Sequence, residues 1–91
     1  MGEVEDILVL GSALKRSWIT EADIEHALAF AMTSYDNGED GSSITIGPAG
    51  DGSLIEVGHR SKWGIRFVVF HAMDAREKFL QTEERDDDAN R

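Results

Sequence analysis

Residues Ile65 to His71 constrain this chain more than any other stretch. The run Ile-Arg-Phe-Val-Val-Phe-His is rich in β-branched and aromatic side chains, which suit a pleated surface. Ile65, Phe67, Val69 and His71 alternate with Arg66, Val68 and Phe70, so both faces are mostly apolar. A strand apolar on both faces needs cover on both. The pattern therefore predicts the central strand of a small sheet. At 91 residues the chain has room for one domain only, so its other segments must be arranged around this strand.

Two more strands are predicted just upstream. Ser43 to Gly47 places Ile44 and Ile46 on one face, and Leu54 to His59 is the second. Gly47 to Gly52 is a tight connection between them, and Ser61 to Gly64 turns the chain into the third. Residues 33–42, from Thr33 to Ser42, carry turn chemistry and read as a solvated loop. The clearest helix lies over 19–32. Thr20 is its N-cap, with Asp23 completing an approximate capping box, and Ile19 and Ile24 form a hydrophobic staple. Ile24, Ala27, Leu28 and Ala31 line one face. Residues 3–16 also read as helix, although Ile7 to Leu10 serves equally as a short first strand. Asp74 to Gln81 reads as a short closing helix, and the charged segment 82–91 as a disordered tail. The expected fold is α+β: two N-terminal helices packed on a three-stranded antiparallel sheet, then a short C-terminal helix. The expected domain is 1–81, followed by the acidic tail 82–91.

Composition narrows the chemistry. There is no cysteine, hence no disulfide, thiolate nucleophile or thiolate metal site. His26, His59 and His71 lack the spacing of metal ligands. A calcium loop begun at Asp36 would need an oxygen ligand at position 38 and a glutamate at position 47, and both are glycine. Gly47 to Gly52 lacks the Lys-Ser/Thr and the following helix of a phosphate-binding loop. No cofactor or metal is expected. No apolar run approaches ~20 residues, so no membrane span is expected. The opening Met-Gly-Glu-Val-Glu-Asp has no secretory n-region, so a cytoplasmic location is expected.

The net charge is −9, which argues against general affinity for nucleic acid. The charge is unevenly spread. Residues 54–80 hold five cations and three anions, a sum of +2, and the remainder carries −11. Arg66, His71, Arg76 and Lys78 fall in the basic part. Gathered on one face, they would hold a phosphate and stabilise charge in a phosphodiester transition state. The alternative is a set of surface cations paired with Glu56, Asp74 and Glu77.

Three segments resemble a known family. They are Ile19-Thr20-Glu21-Ala22-Asp23-Ile24-Glu25-His26-Ala27-Leu28, the stretch from Ile46-Gly47-Pro48 to Leu54-Ile55-Glu56-Val57, and Phe70-His71-Ala72-Met73-Asp74-Ala75-Arg76-Glu77-Lys78-Phe79. Together they resemble small actinobacterial toxin-like proteins, distantly related to the BrnT branch of the RelE/ParE toxin superfamily. The resemblance implies helices on a small antiparallel sheet and an antitoxin partner covering the site. It also implies metal-independent cleavage of RNA, with Arg66, Arg76 and Lys78 gripping the scissile phosphate and His71 moving a proton. It gives His26 no role. The alternative is a catalytically inactive protein-binding module of the same fold.

Overall fold

A computed structural model of the chain describes residues 6–15, 18–36 and 41–76. The elements are β1 (Ile7–Val9), α1 (Gly11–Leu14), α2 (Glu21–Ala29), β2 (Thr33–Asp36), β3 (Ser43–Pro48), β4 (Leu54–Lys62) and β5 (Ile65–Asp74). They build one five-stranded sheet in the order β1-β5-β4-β3-β2. From β2 to β5, consecutive strands pair antiparallel. β1 lies parallel to β5, with Ile7 beside Phe67 and Val9 beside Val69.

The sheet is thus mixed and five-stranded, which corrects the expected three-stranded antiparallel one. Each correction has a local reason. Ile7–Val9 takes the strand option and gives β5 a neighbour on its second edge. Residues 33–36 are not loop. Their polar side chains suit an edge strand, and Tyr35 pairs with Ile44. β5 runs on to Asp74 because β4 still offers it a partner: Asp74 sits opposite Ile55, and the Ala75 N–H donates to the Leu54 carbonyl at 3.1 Å. That ladder replaces the start of the expected closing helix. Residues 77–81 and the expected tail 82–91 lie outside the described residues. β4, not β5, is the middle strand.

α2 follows its local signals. The Thr20 hydroxyl accepts from the Asp23 N–H, and the Asp23 carboxylate accepts from the Thr20 N–H. Ile24, Ala27 and Leu28 are buried from it against the sheet. With Ala13, Ile19, Ile55, Val57 and Val69 they form the core between the helices and one sheet face. Several motif residues lock this layer. Asp23 also accepts from the Gly50 N–H at 2.9 Å, and His26 Nδ1 donates to the Pro48 carbonyl at 2.8 Å. The buried Gly47 lies directly under Ala27. None of the described helices is long and apolar enough to cross a membrane.

Candidate functional site

The alternation read along Ile65–His71 breaks within β5. Gly58 pairs with His71 and His59 with Val69, so Phe70 is the extra residue of a bulge. Val69 and, beyond the bulge, Ala72 both face the helices. His71 is thereby turned to the opposite face, where the Cβ of Gly58 would meet His71 and the Phe70 ring. Glu56, two residues before Gly58 on β4, shares that face.

A buried carboxylate organises this corner. The Glu56 side chain has no exposed surface, while His71 and Arg76 retain 37% and 44%. Arg76 grips it with two groups: Nη2 donates to Oε2 at 2.8 Å, and Nε donates at 3.1 and 3.2 Å. The Arg76 backbone N–H adds a bond to Oε1 at 3.1 Å, and His71 Nε2 lies 3.0 Å from Oε2. Burial alone would raise the Glu56 carboxyl. The hydrogen bonds from Arg76 and His71, with the Arg76 charge, outweigh it and hold the group below its ordinary value of 4.5. The same contacts keep Arg76 still more firmly protonated.

The four residues singled out by sequence are therefore placed differently from one another. His71 and Arg76 meet through Glu56. Arg66 is exposed near the other end of β5, five residues from His71, or about 17 Å of extended chain. Its guanidinium lies over the Phe67 ring at 5.4 Å. Lys78 lies outside the described residues. Of the ion pairs anticipated as an alternative, Arg76–Glu56 forms, but its carboxylate is buried rather than superficial. Among the described residues no cluster of His, Asp and Glu is arranged to hold a metal ion.

Beside His71 runs a groove of about 560 Å³, lined by Ser12, Lys15, Trp18, His71, Ala72, Met73 and Asp74. It exists because β1 is short. The Leu10 N–H makes the last backbone bond to β5, at the Val69 carbonyl, and the chain then leaves into α1. Beyond that point no strand among the described residues neighbours this edge of β5. The bond from Ala75 to Leu54 sets the alternation on the β4 side, so the backbone groups of Ala72 and Asp74 turn to the open edge. Ser12 Oγ donates to the Phe70 carbonyl at 3.1 Å at one end of the groove. Trp18 Nε1 donates to Asp74 Oδ1 at 3.0 Å at the other.

No family model, curated protein or solved structure matches this chain. The site is accordingly read from its own geometry. Glu56 was seen in the sequence only as a counter-ion. Its signal was a glutamate within the apolar run Leu54-Ile55-Glu56-Val57, a position where a buried charge needs partners. Ser12, Lys15 and Trp18 gave no comparable signal, because only the short β1 brings them beside β5.

Proposed function

We propose that this chain is a non-catalytic protein-binding module that receives an extended segment of a partner on the open edge of β5. The observation that carries this reading is that the strand is half-paired among the described residues. From Ala72 to Asp74, backbone donors and acceptors face a groove walled by α1 and Trp18. An added strand would complete the ladder, the main-chain bonds giving affinity and the groove walls choosing side chains. The toxin-like motifs supply the kind of partner, an antitoxin encoded beside it. Replacing Ala72 by proline removes one edge-facing N–H and leaves the β4 ladder intact. Co-purification of the intact chain with the product of the adjacent reading frame should drop at least tenfold in Ala72→Pro, with little change in melting temperature. Undiminished capture by that variant would defeat the edge-binding reading.

One observation favours the ribonuclease reading. His71 lines the groove with Nε2 held by a buried carboxylate, an arrangement that fixes the orientation of an imidazole base. That reading expects the intact protein to cleave RNA without added metal, and His71→Ala to abolish it. A purified protein that leaves RNA intact selects the binding module.

A further inference from the structure

The β4–β5 hairpin is built in a way that the edge site does not explain. Lys62 pairs with Ile65, leaving Trp63 and Gly64 as a two-residue loop. Both have positive φ, +57° and +77°. This is the pattern of a type I′ turn, whose first loop position belongs to Asn, Asp or Gly. A bulky aromatic there is a genuine outlier, because its Cβ crowds the backbone. Folding gains little burial in return: Trp63 is 65% exposed. Strain kept without a packing reason marks a place where the side chain has another use.

The surroundings indicate the use. Residues 59–67 hold Arg60, Lys62 and Arg66 and no acidic residue, inside a chain of net charge −9. Lys62 Nζ lies 4.9 Å from the Trp63 ring centre. Lys62 and Arg66 also line a shallow hollow of about 470 Å³ with Ser61, Gly64, Ile65 and Asp6. One oxygen of Asp6, the acidic group there, is engaged by the Arg66 N–H at 2.9 Å. We propose that this hairpin tip is a binding site for single-stranded nucleic acid, with an unpaired base stacked on Trp63 and the flanking phosphates met by Lys62 and Arg66.

An exposed ring between cations is the arrangement that serves single strands. Duplex DNA offers no free base face to the indole. An acidic peptide would use the cations and leave the strained ring unexplained. A membrane anchor needs more apolar surface than one side chain at the tip provides. The proposal is independent of the β5 edge, which lies toward the other end of the strand.

The test is fluorescence anisotropy of a labelled ten-nucleotide oligo-dT and its oligo-U counterpart with the intact chain at low salt. Trp63→Ala should weaken binding at least fivefold, and Trp63→Phe should restore it to within twofold. The logarithm of affinity should fall with that of salt with a slope of about −1.4, as befits two cations on a single strand. Trp63→Asn should bind as poorly as Trp63→Ala yet melt at a higher temperature, because Asn-Gly suits the turn. The site is overturned by absence of binding, by equal affinity of Trp63→Ala, or by a lower melting temperature in Trp63→Asn. Tighter binding to a deca-glutamate peptide, or to phosphatidylglycerol vesicles, than to the oligonucleotides would also overturn it, in favour of that partner.

Discussion

Gly47→Ala should unfold the protein more readily than the same change at any other described glycine. A Cβ at this position would overlap the carbonyl oxygen of Ala27 and lie 2.9 Å from its carbonyl carbon. Both obstacles are backbone, so no rotamer change relieves them. α2 cannot easily lift away either. His26 ties it to Pro48, Asp23 ties it to Gly50, and the Met32 N–H just beyond it bonds the Ile46 carbonyl. Overpacking usually costs about 1–3 kcal/mol. A fixed backbone clash belongs at or beyond the upper end. A domain of this size has roughly 5–14 kcal/mol in total. The expected loss is about 3 kcal/mol or more, a fall in melting temperature on the order of 12 °C or more. Urea and thermal melts measure it. A loss under about 1 kcal/mol would mean that α2 does not press on β3 as described. Ala27→Gly in the same chain should give no rescue, because the clash is with main-chain atoms.

Arg76→Ala should have the second-largest effect, with a pH dependence of its own. In the intact protein the Glu56 carboxyl titrates below its ordinary value. Its contribution to stability is therefore full above pH 4.5 and is lost as the pH falls through the lower folded value. Without the Arg76 side chain the buried carboxylate keeps only His71 and the backbone N–H of residue 76, and burial pushes its titration upward. The sign then reverses. The variant suffers most at neutral pH and recovers relative to the intact chain as acid neutralises Glu56. Breaking a buried pair from one side costs about 3–5 kcal/mol, discounted here to roughly 2–3 because Arg76 is half-exposed. Glu56→Gln removes the charge, keeps one acceptor oxygen and turns the other into an NH2 donor, and should cost about 1–2 kcal/mol with little dependence on pH. Chemical denaturation at pH 7 and pH 4.5 separates the two variants. A loss in Arg76→Ala that is the same at both would refute the charge argument.

How far the sequence was legible depends on how local the signal was. α2 was readable because Thr20, Asp23 and the Ile24-Ala27-Leu28 stripe lie within nine residues of each other. β2 was not, because Thr33-Ser34-Tyr35-Asp36 owes its extended form to pairing with β3 and not to its own preference. The closing helix over 74–81 was a fair reading of Asp74-Ala75-Arg76-Glu77-Lys78. At Asp74 the distant β4 overrode it. For the site, the sequence grouped Arg66, His71, Arg76 and Lys78 as a phosphate grip, whereas His71 and Arg76 meet as partners of Glu56. The bulge at Phe70, which turns His71 away from the face shared by Val69, leaves no mark in a simple two-residue alternation. Much of the family-like motif instead spells fold: Thr20 caps α2, and Asp23, His26, Gly47 and Gly50 join it to β3 and the β3–β4 turn.

The parallel pairing of β1 with β5 also sets an order of events during synthesis. Ile7 leaves the ribosome sixty residues before its partner Phe67. Hairpins β2–β3 and β3–β4 can close while the chain grows, since their partners are near in sequence. β1 has to wait, with Ile7, Leu8 and Val9 unburied, until β5 is complete. Closing so long a loop is slow compared with forming a hairpin. The nascent protein is therefore most open to chaperones, proteases and premature partners at β1, and that vulnerability ends only when β5 emerges.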